Sequence, residues 1–236
     1  MIDALERAGE AGRTVAAVAE GIDPAELMEP GDFAGAYDPH VWMDPSLWSE
    51  AVGVVRDTLT AHDAAGAAGY AENAAALQAE LAALDGWAAS VLAEVPASAR
   101  VLVTAHDAFG YFGRRYGLEV LGIQGISTES EAGVRDIERL VETLVAREIP
   151  AVFVESTVSE RNVRALLEGA AARGHTVRIG GELFSDAMGE PGTPAGTYIG
   201  MIAHNVATVA EGLGGGPVEP FAPSAPGAAT ESAASP

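Results

Sequence analysis

The sequence predicts an α/β fold with parallel strands, on three observations. Beyond residue 100, short apolar runs alternate with helical stretches long enough to cross back over a sheet, the pattern of successive βαβ units with right-handed crossovers. Ahead of them, one apolar periodicity runs unbroken from Gly66 to Val95. The 236-residue chain is 48% hydrophobic with a mean hydropathy of +0.16, enough for one large domain or two small lobes.

The elements follow in order. "MIDALERAGEAG" reads as the end of a helix closing at Gly9 or Gly12, and "TVAAVAE" (Thr14–Glu20) as a short buried strand. Residues 21–37, rich in Gly, Pro and Asp, form a loop. "DPSLWSEAVGVVRDTLTAHD" is a helix, with Asp44 as N-cap and Pro45 in the first turn. In the segment 66–95, Tyr70, Ala74, Leu77, Leu81, Leu84, Ala88, Val91 and Val95 recur at steps of four and three until Pro96 stops the run. At 1.5 Å per residue this helix is roughly 40 Å long, fit for half of a helical hairpin, for a coiled coil or for a strut between two lobes. Then come strand "RVLVTAH", helix "DAFGYFGRRYG", strand "LEVLGIQ", helix "SEAGVRDIERLVETLVARE" and strand "PAVFVE". A helix capped by Ser159, "SERNVRALLEGAAARG", the strand "HTVRIGG" and the helix "GTYIGMIAHNVATVAEGL" complete the series. From Gly214 the composition cannot build a core and predicts a disordered tail.

Charge and composition narrow the chemistry. Asp and Glu outnumber Lys and Arg by 34 to 13, a net charge of −21 that repels phosphate backbones and speaks against nucleic-acid binding. Without cysteine there are no disulfides, thiolate metal sites or cysteine nucleophiles. No apolar run approaches the roughly 20 residues of a membrane span. The first residues show neither the basic nor the apolar part of a secretion signal, so the chain as written would stay in the cytoplasm.

In open parallel sheets, ligands bind beyond the carboxyl ends of the strands. His106 stands at such an end, as does Glu155, and Asp186 lies in the loop after the last strand. His40, in "YDPHVWMDP", belongs to the other half of the chain, flanked by Asp38, Trp42 and Asp44. If the halves face each other, His40, His106 and Asp186 converge, and two imidazoles with a carboxylate suit zinc or manganese. Each residue also has a plain structural reading: His106 hydrogen-bonded at its strand end, His40 bracing a turn, Asp186 capping its own loop, Glu155 capping the next helix. His62 and His175 read as solvent-exposed, and His204 as structural.

The phrases "EGIDP…AYDPHVWMDPSLW", "VTAHDAFGYFGRRYGLEVLGIQGISTESEAG", "FVESTVSERNV" and "GGELFSDAMGEPGTPAGTYIGMIAHNV" together resemble the zinc/manganese solute-binding receptors of ABC importers, over residues 1–213. The resemblance implies two α/β lobes with parallel sheets joined by one long backbone helix. It divides the chain into a remnant of an N-terminal lobe (1–65), the linking helix (66–96), a C-terminal lobe (97–213) and the tail (214–236). It matches His40, His106 and Asp186 to the family's metal ligands. The family's further ligand, usually a His early in the first lobe, has no match, which implies an incomplete N-terminal lobe that begins partway through. An imidazole at position 106, where manganese-favouring members often carry a carboxylate, points to zinc, with manganese as the alternative. Asp38, Asp44, Asp107 and Glu155 are expected to orient the imidazoles and Trp42 to shield the site.

The implied function is capture of a divalent metal outside the cytoplasm, in the periplasm or attached to the cell surface, by a monomer that delivers it to an ABC-type permease. Two other functions compete. One is a metal-dependent hydrolase with Glu155 as general base, because two His and one carboxylate also make a catalytic site. The other is a surface adhesin.

Overall fold

The computed structural model describes residues 2–29, 36–128 and 133–222. The chain opens with α1 (Ile2–Glu10), ended by Gly12 in the left-handed region with φ 75°. The strand expected at Thr14–Glu20 does not form: the segment is mostly exposed and ends in a 3-10 turn, Val18–Gly21. Its apolar residues are mainly alanines, and among the described residues no strand lies beside it to pair with. Pro24–Glu26 and Val41–Met43 are further single turns. Helix α2 (Pro45–His62) starts as its sequence specifies, with Asp44 accepting from Ser46 N and Pro45 in the first turn.

The long periodic segment forms α3 (Ala67–Ala93). Joined to α2 by the short link at residues 63–66, it packs along α2 as a helical hairpin. It also meets the C-terminal half through α4 (Gly110–Tyr116) and α7 (Tyr198–Gly212). Leu84, Ala88 and Leu92 of α3 are fully buried in this contact, together with Phe109, Phe112, Ile202, Val206 and Val209.

Four short parallel strands follow. β1 (Val101–His106) pairs with β2 (Glu119–Gln124), and β3 (Ala151–Glu155) with β4 (Arg178–Leu183). The pairs form two separate two-stranded sheets, with β1 of one lying beside β3 of the other. Side chains alternate along each strand. Val101, Val103, Ala105, Val152 and Val154 enter a core with α5 (Val134–Ala146) and α6 (Arg161–Ala172), whereas Leu102 and Phe153 face the helical core of α3, α4 and α7. Gly122 in β2 lets the turn after β1 approach closely, because a Cβ there would come within 2.7 Å of Asp107 N.

Two smaller expectations are corrected. Ser159 Oγ accepts from Arg161 N at a long 3.4 Å and precedes the N-cap, which is Glu160. The tail is docked at its start: Val218 and Phe221 pack against the helical core, and Phe221 lies 5.5 Å from Trp87 of α3. These two are the large apolar exceptions in an otherwise Gly- and Pro-rich stretch. The rest of the expected tail, 223–236, falls outside the described residues, as do 30–35 of the expected loop and 129–132 before α5.

Candidate metal centre

Ligands of parallel α/β folds bind beyond the carboxyl ends of the strands, and here the ends of β1 and β3, one from each two-stranded sheet, lie side by side. His106 ends β1 and Glu155 ends β3, each on the face that carries Leu102 or Phe153. Both are buried, His106 at 0% exposure. Glu155 Oε1 accepts the backbone N–H of His106 at 2.8 Å, and its Oε2 stands 2.6 Å from His106 Nδ1. That second contact is poorly aligned as a hydrogen bond and acts chiefly as a buried ion pair.

His40 arrives from the segment before α2. Asp38 Oδ1 accepts both the backbone N–H of His40, at 2.9 Å, and its Nδ1, at 2.7 Å. Tyr111 of α4, fully buried, donates to Asp38 O and accepts from Met28 N, each at 3.0 Å, which seats this segment on the C-terminal half. The imidazoles of His40 and His106 meet edge-on, 5.4 Å between centroids.

Asp186 comes from the loop after β4 and is the open member of the group, its side chain 37% exposed. Its Oδ1 is 3.4 Å from Nε2 of His40 and 3.4 Å from Nε2 of His106. The three residues offer donor atoms within 4.8 Å of one another. Electrostatics follow from this crowding. Burial alone would drive the His106 pKa down, but the Asp186 and Glu155 carboxylates outweigh it and raise it to about 9. His40 is also raised, burial being overcome by Asp186 and Asp38. Asp186 is held well below the usual carboxylate range by His106 and then His40, against the opposing effect of its own partial burial.

The structure thus brings His40, His106 and Asp186 to one point and puts Asp38 and Glu155 behind the two imidazoles. Asp44 is elsewhere: its carboxylate caps α2 through Ser46 and faces Arg115 at 4.0 Å. Asp107 stands just past β1, and the Nδ1 positions it was expected to brace are taken by Asp38 and Glu155. Trp42 lies edge-on to His40 at 5.2 Å, and its Nε1 donates to Ser185 O at 3.0 Å. His62 is exposed beside Thr14, whereas His175 is half-buried on Ile149 O, a correction to its expected exposure. His204 bonds Glu182 O. Sequence reasoning missed Tyr111, Ser185, Tyr198 and Asn205. Only Asn205 left a signal, as a lone amide at a core position of "MIAHNVATV".

Fold and donor set together describe an α/β protein with two imidazoles and a carboxylate gathered at the carboxyl ends of its strands. The chain belongs to the family described as zinc-uptake complex component A, periplasmic, whose model matches residues 1–212. It is 46% identical over 213 residues to the manganese-binding lipoprotein MntA of Bacillus subtilis (strain 168), covering 90% of this chain and 69% of that one. It is 45% identical over 201 residues to the zinc-binding protein TroA of Treponema pallidum (strain Nichols), covering 85% and 65%. The iron-binding protein YfeA of Yersinia pestis is 32% identical, covering 84% and 62%. Among solved structures, the periplasmic zinc-binding protein TroA from Treponema pallidum superposes with a TM-score of 0.82 at 45% identity, covering 85% of this chain and 72% of that one. The chain therefore spans about two thirds of the length of these curated relatives. Among the described residues, no helix is long and apolar enough to cross a membrane.

Proposed function

We propose that this chain is a receptor that captures a divalent transition metal, zinc foremost and manganese second, through His40, His106 and Asp186. It works outside the cytoplasmic membrane and hands the ion to an ABC-type permease. The observation that carries this reading is the pair of carboxylate-backed imidazoles, His40 on Asp38 and His106 on Glu155, both turning Nε2 toward one oxygen of Asp186. A carboxylate behind a ligating imidazole fixes the ring and raises its basicity.

The residues fit a metal. His106 Nε2 is fully buried with no aligned hydrogen bond, a costly arrangement unless a cation completes it. Four ligands about 2.05 Å from zinc stand about 3.3 Å apart, close to the 3.4 Å from Asp186 to each imidazole. All three donors come from one chain, so a monomer suffices. In this reading residues 66–96 link a segment of one lobe, 1–65, to the other lobe, 97–213. Relatives named for manganese, zinc and iron mark a site type that accepts several first-row ions. Two imidazoles favour zinc here.

The hydrolase reading loses its general base. Both oxygens of Glu155 are committed to His106 on its Nδ1 side, away from the open side of the site.

Titration calorimetry of the chain with zinc and with manganese tests the reading. One saturable site is expected, with zinc tighter, weakened at least ~100-fold by His106→Ala, beyond the cost of losing a mere supporting partner. Absence of saturable binding, or binding indifferent to His106, overturns it.

A further inference from the structure

Two of the three donors sit on irregular backbone, so their spacing must be set by whatever holds those segments. His106 needs no such help, since it closes a buried strand. His40 lies before a single turn and Asp186 in a loop, 146 positions apart in sequence. One direct tie joins these two segments, from Trp42 Nε1 to Ser185 O, and the others run through one helix.

Asn205 of α7, fully buried, accepts from Phe184 N at 2.9 Å and donates to Phe184 O at 2.7 Å. Its amide thus stands in for a strand neighbour and fixes the backbone two residues before Asp186. Tyr198, seven positions earlier on the same helix, donates to Trp42 O at 2.8 Å, fixing the backbone two residues after His40. Positions i and i+7 share a helix face about 10 Å apart. Trp42 closes the loop by donating from Nε1 to Ser185 O, beside Asp186. Tyr198 is itself held by the ring of Trp48, stacked at 5.7 Å and 22°.

Building on the capture reading, we propose that Tyr198 and Asn205 are positioning residues. Helix α7 acts through them as a ruler that sets the distance between the His40 and Asp186 donors, and thereby the preference for a small tetrahedral ion over a larger octahedral one. Neither side chain touches the ion. Zinc tolerates a tight four-donor cage, whereas manganese takes longer bonds and more ligands. A loosened ruler therefore costs zinc more than manganese.

The test uses Tyr198→Phe, which keeps the ring on Trp48 and removes only the hydroxyl, with Trp42→Phe as a second variant that removes the other tie. Cobalt(II) is the probe of geometry, through its visible absorption, and zinc and manganese affinities are measured by competition. Both variants are expected to fold, to lose ~10-fold in zinc affinity with a smaller loss for manganese, and to show weaker cobalt bands as coordination departs from tetrahedral. A lower melting temperature with an unchanged cobalt spectrum and zinc-to-manganese ratio overturns the ruler and leaves capture standing. Failure of the unmodified chain to bind cobalt or zinc overturns capture, and the ruler with it.

Discussion

The two imidazoles are braced in different ways, and conservative amide substitutions separate them. Asp38 uses one oxygen, Oδ1, for both the backbone N–H and the Nδ1 of His40. In Asp38→Asn the amide oxygen can keep that position, so both bonds survive and only the charge is lost. The difference between a charged and a neutral hydrogen bond is about 1 kcal/mol, so metal affinity should fall about 5-fold. Glu155 uses its two oxygens separately, Oε1 for the backbone N–H of His106 and Oε2 for Nδ1. In Glu155→Gln the single amide oxygen serves one of these, and the NH2 group faces the other. If the oxygen stays on the backbone, the NH2 donates to Nδ1 and moves the imidazole proton to Nε2, the atom a metal needs. If it turns, two buried donors face each other at a cost of about 1–3 kcal/mol. Either outcome puts the loss in affinity at ~10–100-fold. Competition against a chromophoric chelator measures both variants, with thermal melts of the metal-free proteins as a control for folding. An Asp38→Asn loss equal to or larger than that of Glu155→Gln, in folded proteins, refutes this account of the bracing.

Other outcomes follow from the same geometry. With the His106 pKa raised to about 9, calorimetry at pH 7 in buffers of different ionisation heat should show about one proton released from His106 per ion bound, with a further contribution from His40, whose pKa is also raised, and the His106 release should fade as pH rises above 9. The raised His106 stabilises the metal-free fold fully below its unfolded pKa near 6.5 and loses that contribution as pH rises through about 9. Asp186, depressed, contributes above its unfolded value near 3.8 and loses it as pH falls through its folded pKa, so melting temperature should peak between these limits. Gly212→Ala should destabilise by about 1–3 kcal/mol in urea titration, because its Cβ would lie 2.6 Å from the Phe153 ring, outweighing the usual gain in helix propensity. Phe221→Ala should cost about 0.5–1.5 kcal/mol and change Trp87 fluorescence if the first residues of the tail dock as described. Unchanged emission and stability would show that they do not.

The C-terminal half was legible because local and long-range signals agree there. Strand runs and helix periodicity translate directly into backbone there, as the Asp44–Pro45 start does for α2 earlier in the chain, and His106 and Glu155 had to fall at strand ends. Thr14–Glu20 misled because an apolar run marks a strand only where a neighbouring strand can satisfy its backbone. Asp44 looked like a support by proximity in sequence, yet bracing an imidazole depends on direction: its carboxylate caps α2, and the Nδ1 atoms of the two imidazoles face Asp38 and Glu155. Tyr198 and Asn205 left little trace, since their work is done on backbone groups of distant loops that no spacing encodes.

That division also explains how three donors from distant segments assemble on a chain whose first 66 positions contribute no strand among the described residues. The supports described for the donor group lie in β1, α4, β3 or α7, or are held by them: Glu155 behind His106, Tyr111 beneath Asp38, Asn205 beneath Phe184, Tyr198 beneath Trp42. The segment 36–44 brings His40 but rests on this C-terminal frame, through Tyr111 at one end and Tyr198 at the other. Donor geometry is therefore a property of the sheet end and helix α7. Substitutions in α1 should leave metal affinity almost untouched, whereas removal of either tyrosine hydroxyl should lower it.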